Sequence, residues 1–268
     1  MRAHLGRIIV YPIKSLDGAV VEQAGITPGG ILEHDRVYAM VDAAGKYVNG
    51  KREPRVHRLR CRFDGEFREV LFSEEGSTRA DRFVLAEPEP IGRWLSAFFG
   101  FPVALTREAK GGFPDDRAAP GPTVVGVASL QAVTAWFPAL TIEGVRRRFR
   151  TNLELAGPGL PPFWEDRLFR EAGELAPFQI GAVRLCGHNP CQRCAVPTRD
   201  PATGETTSGF QKEFMERRRQ SLPAWANGAR FNHFYRLAVN TSIPPSEAGK
   251  HVHEGDEIRV PEPAGVSG

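Results

Sequence analysis

The first hundred residues consist of short apolar runs that end at glycine, proline or aspartate, and this pattern limits the chain to a mainly β fold. The clearest runs cover residues 6–13, 18–26, 36–42 and 46–50. They are rich in valine, isoleucine and tyrosine, which favour strands. One helix is predicted at 89–99, where apolar residues recur at helical spacing before Gly100.

The second half of the chain alternates predicted strands and helices. Residues 110–122 are rich in glycine, proline and charge and are predicted to be a linker. Residues 123–138 are typical of a strand that runs into a helix, which Ser129 is placed to cap. Further elements, one of them turning at Gly181, are predicted at 151–157, 178–186, 208–219, 234–243 and 255–263. The fold is therefore predicted to be mainly β with a few helices (α+β), organised as two partly open barrels.

Charge and hydropathy exclude two classes of partner. The net charge is only +3 and no block of lysine or arginine is present, so no nucleic acid polymer is expected to bind. Neither a signal sequence nor an apolar run of the roughly 20 residues that a membrane helix needs is found, so no membrane contact is expected and the protein is predicted to be cytoplasmic. Arginine outnumbers lysine by 29 to 6, which fits a GC-rich coding sequence or arginines that bind an anionic ligand.

Three of the four cysteines, Cys186, Cys191 and Cys194, fall within nine residues. A secreted disulfide framework would spread its cysteines along the chain, so reduced thiols are expected. A structural zinc site normally takes its ligands as two separate pairs. Cys191 and Cys194 form one pair, and a second pair exists here only if His188 joins Cys186. A redox dithiol normally opens a helix, whereas Pro197 predicts a loop.

Two further interpretations of the cysteines stay open. In one of them Cys186, at the end of an apolar strand, is buried and inert. In the other, a single thiolate binds a soft metal whose remaining ligands come from a cofactor, and Arg193 beside Cys194 favours the ionised thiol. Spacing alone does not choose between these interpretations and a zinc site.

Three separated motifs resemble those of the MOSC (molybdenum cofactor sulfurase C-terminal) domain family. Residues 190–205, PCQRCAVPTRDPATGE, resemble the signature of the MOSC domain, and residues 148–155, RFRTNLEL, resemble its R-F-R-x-N strand. The runs YPIKSLDG, GGILEHDRVYAMVD and NGKREPRVHRL resemble the N-terminal β-barrel domain of one branch, which includes the mitochondrial amidoxime-reducing component and bacterial reductases of N-hydroxylated compounds. The resemblance implies an N-terminal β-barrel domain at 1–109 and a MOSC β-barrel domain at 110–262.

The resemblance also implies a set of site residues. Cys194 corresponds to the second cysteine of the signature, which binds molybdenum in that branch, so it is the implied metal ligand and catalytic residue. The residues implied to bind the molybdenum cofactor are Lys14, Ser15, Arg36, Arg150, Gln192, Arg193 and Tyr235. The first three correspond to residues that contact the phosphate end of the cofactor. A phosphate dianion needs cations and hydroxyl donors, which this set supplies.

The chain departs from the animal members of that branch at three places. Gln192 stands where they carry serine, and a Thr-Ser pair that lines their cofactor is replaced around Ala119–Pro122. The segment 162–181 is longer than the family pattern. These changes concern the substrate pocket and one wall of the cofactor site.

The resemblance implies a molybdenum-cofactor-dependent oxidoreductase that removes oxygen from nitrogen in small N-hydroxylated compounds. Electrons are expected from a separate ferredoxin- or flavin-type reductase, because no iron–sulfur cysteine set follows the signature. One alternative is a carrier that holds sulfur as a persulfide on Cys191 or Cys194 for metallocluster or cofactor assembly, and another is a cofactor-storage module. Pyridoxal phosphate binding is a further association of the family.

Overall fold

The computed structural model describes residues 2–261 and contains, within them, fifteen strands and four α-helices. The strands are β1 Ala3–Val10, β2 Ala19–Val21, β3 Gln23–Gly25, β4 Tyr38–Asp42, β5 Leu59–Phe63, β6 Glu69–Glu74, β7 Asp81–Val84, β8 Val103–Arg107, β9 Val124–Gly126, β10 Leu153–Ala156, β11 Ala176–Ile180, β12 Val183–Gln192, β13 Arg236–Ser242, β14 His251–His253 and β15 Glu257–Arg259. The helices are α1 Pro88–Phe99, α2 Val127–Trp136, α3 Ile142–Phe149 and α4 Phe210–Gln220. The prediction of a mainly β protein with a few helices is confirmed. No helix within 2–261 is long and apolar enough to cross a membrane.

Seven strands form a barrel in the order β10-β9-β13-β12-β11-β15-β1, and β1 closes the ring by pairing with β10. Strand β1 comes from the start of the chain, and the other six lie between Val124 and Arg259. Leu5 of β1 pairs with Leu155 on one side, and Ala3 pairs with Ile258 on the other. Leu5 and Leu155 are both fully buried, because side chains from neighbouring strands fill the interior of a barrel of this size.

A smaller unit lies beside the barrel. In it β4 pairs with β8, and β5, β6 and β7 form a three-stranded sheet. Helix α1 packs on these strands through Ile91, Leu95 and Phe99, which lie on one helical face because they are four residues apart. The helix ends at Gly100, whose φ of 71° is left-handed and suits glycine. The helix predicted at 89–99 is therefore confirmed to within one residue.

Strand β12 is longer than predicted, and this changes the setting of the cysteines. The turn at Gly181 is confirmed, but the strand that follows continues past Cys186 through Cys191, so only Cys194 lies in the loop after it. The pairing with β13 is interrupted by two bulges between Gly187 and Gln192. A Cβ atom on Gly187 would lie 1.6 Å from the Leu168 carbonyl oxygen, so this close approach needs glycine.

Predictions of local structure at Ser129, at residues 148–150 and at residues 46–50 are wrong; the last run makes only an isolated bridge between Tyr47 and Val41. Helix α2 begins at Val127, so Ser129 lies inside it and does not cap it. The Ser129 hydroxyl instead donates to the Glu165 carboxylate at 2.7 Å. Residues 148–150, predicted to belong to a strand, end helix α3, and β10 starts only at Leu153. The helix predicted at 208–219 is observed as α4.

The last strand predicted from the sequence is shorter in the structure. The sequence predicts it at 255–263, and the structure shows it as β15, Glu257–Arg259. Its residues 262–263, and the end of the second domain at 262, lie outside the described residues. The predicted domain boundary at 109/110 falls in the connection between β8 and β9 and stays a prediction.

Candidate functional site

A cleft of about 930 Å³ is lined by residues of both the barrel and the smaller unit. This volume lies within the roughly 300–1,000 Å³ that small-molecule sites occupy. Among residues 2–261, eleven basic side chains and three carboxylates line the cleft, so it is strongly cationic. The basic residues are Lys14, Arg36, Lys51, Arg60, Arg117, Arg147, Arg148, Arg150, Arg193, Arg230 and Arg236, and the carboxylates are Asp17, Asp115 and Asp116.

Seven of the eight predicted site residues line this cleft. They are Lys14, Ser15, Arg36, Arg150, Gln192, Arg193 and Cys194. The eighth, Tyr235, is only 2% exposed and packs on Phe214 with the ring centres 5.3 Å apart. Burial raises the pKa of Tyr235, and its hydroxyl has no hydrogen-bond partner within the described residues. Tyr235 therefore lies behind the cleft wall, and its part in cofactor binding stays a prediction.

Three residues of the cleft have a left-handed backbone that is rare outside glycine. The φ angles are 77° at Ser15, 52° at Arg36 and 53° at Arg150. The Arg36 amide donates to the Tyr11 carbonyl at 2.8 Å, and Arg150 ends helix α3, where its amide donates to the Arg146 carbonyl at 2.8 Å. Backbone strain of this kind costs on the order of 1–3 kcal/mol per residue and collects at functional sites. Arg150 adopts this conformation as the residue that ends helix α3, whereas Ser15 and Arg36 lie in turns, so only the strain at these two residues supports a functional role for the cleft.

Asp115 forms ion pairs with two basic side chains of the cleft, Lys14 and Arg36. The Lys14 ammonium donates to an Asp115 carboxylate oxygen at 2.7 Å, and an Arg36 guanidinium nitrogen lies 3.8 Å from the other oxygen. Although 72% of the Asp115 side chain is exposed, its place in the cleft removes part of its hydration and opposes ionisation; the charges of Arg36 and Lys14 outweigh this and lower its pKa to about 2. Burial lowers the pKa of Lys14, and Asp115 opposes that shift. The cleft thus contains an internal ion pair between an acidic loop and two predicted phosphate-binding residues.

Asn152 connects the two halves of the cleft and is fully buried. Its amide nitrogen donates to the Asp35 carboxylate at 3.0 Å, and its amide oxygen accepts from the Thr123 amide at 3.1 Å. The same oxygen lies 3.4 Å from an Arg36 guanidinium nitrogen. Because one buried side chain contacts residues of both the barrel and the smaller unit, the position of Arg36 is fixed relative to β10.

Arg150 presents a charge that no acidic group within residues 2–261 neutralises through an ion pair. Its guanidinium carbon lies 4.3 Å from the centre of the Tyr11 ring, a distance suited to a cation–π contact. This contact orients the guanidinium, whose N–H groups make no hydrogen bond to an acceptor within residues 2–261. Arg150 is therefore suited to bind an anionic group in the cleft.

Cys191 and Cys194 both reach the cleft, but their surroundings differ. An Arg193 guanidinium nitrogen donates to the Cys191 sulfur at 3.1 Å, whereas the Cys194 sulfur accepts from the Val196 amide at 3.4 Å. The sequence pattern led us to expect Arg193 to act on Cys194, but its hydrogen bond goes to Cys191. All four cysteines are free thiols. The part of the chain that is described holds no cluster of three His, Cys, Asp or Glu side chains suited to a metal ion, so a structural zinc site finds no ligand set there.

Arg148 holds the loop that follows Cys194, a role that no pattern in the sequence indicated. Its guanidinium donates to the Pro197 carbonyl at 3.0 Å, to the Arg199 carbonyl at 2.6 Å and to the Thr207 hydroxyl at 3.1 Å. Arg148 itself is only 3% exposed. The R-F-R-x-N motif therefore contributes one arginine to the loop that carries Cys194 and another, two residues later, to the cleft.

Three further cleft residues were not identified from the sequence. Asp115 belongs to the segment 110–122, which was interpreted as a linker, and its only signal was a pair of aspartates between glycines and prolines. Arg230 and Arg236 follow helix α4 and carry no motif. Their position on the cleft arises from the pairing of β12 with β13, which the sequence did not reveal.

The fold and the cleft together define a β-barrel protein with a cationic, thiol-bearing site at the edge of its barrel. Residues 2–101 match the MOSC N-terminal beta barrel domain, and residues 123–259 match the MOSC domain. The second match alone covers more than half of the chain. The protein therefore belongs to the MOSC domain family.

Two individual proteins are similar to this chain. The molybdenum cofactor sulfurase of Oryza sativa subsp. japonica is 31% identical over 83 residues, which are 31% of this chain and 10% of that protein. The chain thus matches about a tenth of the length of this relative. The crystal structure of the YuaD protein from Bacillus subtilis covers 97% of this chain and 96% of its own, at 11% identity and a TM-score of 0.42, which is too weak a likeness to support an argument.

Proposed function

We propose that this protein is a molybdenum-cofactor-dependent oxidoreductase that reduces small N-hydroxylated compounds, with Cys194 as the protein ligand to the metal. The observation that carries the proposal is that Cys194 opens into the same cleft as Lys14, Ser15, Arg36 and Arg150. A thiolate suits a soft metal, and a cluster of cations suits a phosphate. One cleft therefore offers suitable donors for both ends of a phosphate-bearing metal cofactor.

The donor set of the cleft fits such a group. Cations outnumber carboxylates by eleven to three among the described lining residues, and Arg150 and Arg193 have no acidic partner within 4.0 Å there. The sequence match to a protein named molybdenum cofactor sulfurase also supports the choice of cofactor. The predicted association with pyridoxal phosphate rests on the resemblance alone and is not part of this proposal.

When bound, the cofactor supplies a two-electron oxygen-atom transfer. The residues of the chain bind and orient it: Lys14, Ser15 and Arg36 take the phosphate, and Arg148 fixes the loop from which Cys194 extends. Gln192 and Arg193 line the cleft beside the two cysteines and can contact the substrate or the cofactor. Electrons come in this proposal from a separate ferredoxin- or flavin-type reductase.

A direct test measures the reduction of benzamidoxime to benzamidine by cofactor-loaded protein, with chemically reduced methyl viologen as the electron donor. Wild type should turn over, and Cys194→Ser should be inactive while keeping its circular dichroism spectrum. Cys186→Ser is the matched control, because Cys186 lies in the same strand–loop region but does not line the cleft. Full activity of Cys194→Ser would overturn the proposal.

A sulfur carrier is the second candidate, and the hydrogen bond from Arg193 to Cys191 favours it. The Arg193 guanidinium, which donates to the Cys191 sulfur at 3.1 Å, provides a positive charge beside any sulfur that is carried there. This function predicts cyanide-releasable sulfur on freshly purified wild type and its loss in Cys191→Ser. Protein that contains molybdenum and pterin but no releasable sulfur would exclude the carrier.

A further inference from the structure

One wall of the cleft is built by strands β12 and β13 and is not assigned by the proposed function. We call it the β12–β13 wall, and it comprises Asn189, Arg230, Arg236 and Asn240. Asn189 pairs with Asn240 in the sheet, and Arg236 pairs with Gln192, so the wall runs alongside the strand that carries Cys191. Arg230 joins it from the segment before β13, where its guanidinium donates to the His188 carbonyl at 3.1 Å.

The two arginines of this wall have only neutral partners. Arg236 donates to the Pro190 carbonyl at 2.6 Å and to the Asn232 amide oxygen at 2.7 Å. Arg230 donates to the carbonyls of Arg170 and Glu171, the second at 2.9 Å. These acceptors orient the guanidinium groups but do not neutralise them. Within residues 2–261 no carboxylate lies within 4.0 Å of either arginine, in contrast to Lys14 and Arg36, which share Asp115.

Burial makes the uncompensated charge of Arg236 costly. Its Nε atom is buried and has no hydrogen-bond partner within the described chain, and burial lowers the pKa of Arg236. A partly desolvated charge without a counter-ion is unfavourable unless a ligand supplies one. Two fixed guanidinium groups on one wall are suited to carboxylate or phosphate oxygens.

We propose that the β12–β13 wall binds an acidic group of the substrate, a carboxylate or a phosphate, and that the reductase therefore prefers anionic N-hydroxylated compounds. The identification of this ligand as the substrate rests on the proposed function. The existence of the anion site does not, because it follows from the charges and contacts of Arg230 and Arg236 alone. Cys191, adjacent to this wall, provides a chemical reporter for it.

The test compares how fast Cys191 reacts with iodoacetate, which is anionic, and with iodoacetamide, which is neutral and of similar size. Both reagents need the thiolate, so the ratio of their rates does not depend on the thiol pKa. Fragment mass spectrometry separates the product at Cys191 from that at Cys194. Wild type should favour iodoacetate at Cys191 relative to Cys186, the half-buried cysteine outside the cleft.

The ratio of the iodoacetate rate to the iodoacetamide rate at Cys191 should fall about threefold to tenfold in Arg230→Gln and in Arg236→Gln, because each variant removes one positive charge near the thiol at the protein surface. Lys51→Gln is the matched control, because it removes one positive charge from the same cleft at a different wall. Its ratio should stay at the wild-type value. If the ratio of iodoacetate to iodoacetamide rates at Cys191 is unchanged in both arginine variants, the anion site is overturned. If Lys51→Gln lowers this ratio as much as the arginine variants do, the preference comes from the overall positive charge of the cleft and not from a specific anion site, which also overturns the proposal.

A second arm identifies the source of the anion. In cofactor-loaded protein the iodoacetate preference should persist, and Arg236→Gln should raise KM for 4-carboxybenzamidoxime severalfold without raising KM for benzamidoxime. Loss of the preference on loading would assign the wall to the phosphate of the cofactor and overturn the substrate assignment. The alkylation arm needs neither molybdenum nor turnover, so failure of the proposed reductase function would be seen separately from failure of this site.

Discussion

The Lys14 ammonium lies 2.7 Å from the carboxylate of Asp115, a residue that is 101 positions later in the chain and belongs to an irregular loop. Lys14 is buried, whereas the Asp115 side chain is 72% exposed, so the pair joins a fixed cation to a carboxylate at the cleft surface. An incoming phosphate that binds Lys14 and Arg36 has to replace or outcompete this carboxylate. We therefore expect Asp115 to set the strength of anion binding at the predicted phosphate site.

Replacement of Asp115 by asparagine should strengthen phosphate binding. Asp115→Asn removes the competing charge and should raise the affinity of cofactor-free protein for inorganic phosphate by up to about fivefold, since an exposed ion pair contributes at most about 1 kcal/mol. Isothermal titration calorimetry measures this. Asp116→Asn is the control, because Asp116 lines the same cleft without an ion pair to Lys14 or Arg36. Equal affinities of wild type and Asp115→Asn would contradict the competition.

Arg148 should contribute more to stability than its neighbour Arg147. Arg148→Gln leaves two carbonyls and a hydroxyl of the 197–207 loop without their donor and should lower the free energy of unfolding by about 1–3 kcal/mol. Arg147→Gln removes contacts to Glu75 and Pro201 that are more exposed, and should cost less than about 1 kcal/mol. Urea unfolding of both variants checks the order. An equal and small loss in both would show that Arg148 does not hold the loop.

Glu165 should make the stability of the protein fall as the pH rises. Burial, with a smaller effect of Asp166, raises the pKa of Glu165 from 4.5 to about 7, although the Ser129 hydroxyl opposes the shift. The folded state therefore holds a proton that the unfolded state has lost between about pH 4.5 and 7, so stability decreases across this window and levels off above it.

The glutamine variant isolates this contribution. Glu165→Gln keeps the shape of the side chain but cannot ionise. The free energy of unfolding of the wild type should therefore fall between pH 5 and pH 8 by on the order of 1–3 kcal/mol more than that of the variant. Urea unfolding at the two pH values gives the comparison. Glu213→Gln, on the exposed Arg217 pair, should show the wild-type pH dependence. If Glu165→Gln also retains it, Glu165 is not the group responsible.

Local patterns in the sequence were sufficient for most of the strands and helices and for seven of the residues that line the cleft. The runs around Lys14 and Arg36 and the loop of Cys194 each carry their residues on a short motif, so a family resemblance could place them without knowledge of the packing. The helix at 89–99 was equally accessible, because its apolar spacing and the glycine after it are local signals.

Long-range packing determined what the sequence could not reveal. Tyr235 faces the core next to Phe214, and only the position of α4 against the barrel decides this. Ser129 looked like a helix cap because its partner Glu165 is distant in sequence. Asp115 and Arg236 reach the cleft through a loop path and a strand register, neither of which leaves a pattern in neighbouring residues.

The metal content of purified protein tests the central claim most directly. Wild type and Cys186→Ser, expressed in a host that makes the molybdenum cofactor, should contain molybdenum and give pterin fluorescence after acid oxidation. Cys194→Ser should retain less than about a tenth of that molybdenum, because loss of a metal–sulfur bond costs more than the 1.4 kcal/mol that corresponds to a tenfold change in binding. Wild type without molybdenum, or Cys194→Ser with the wild-type amount, would contradict the assignment of Cys194 as the metal ligand.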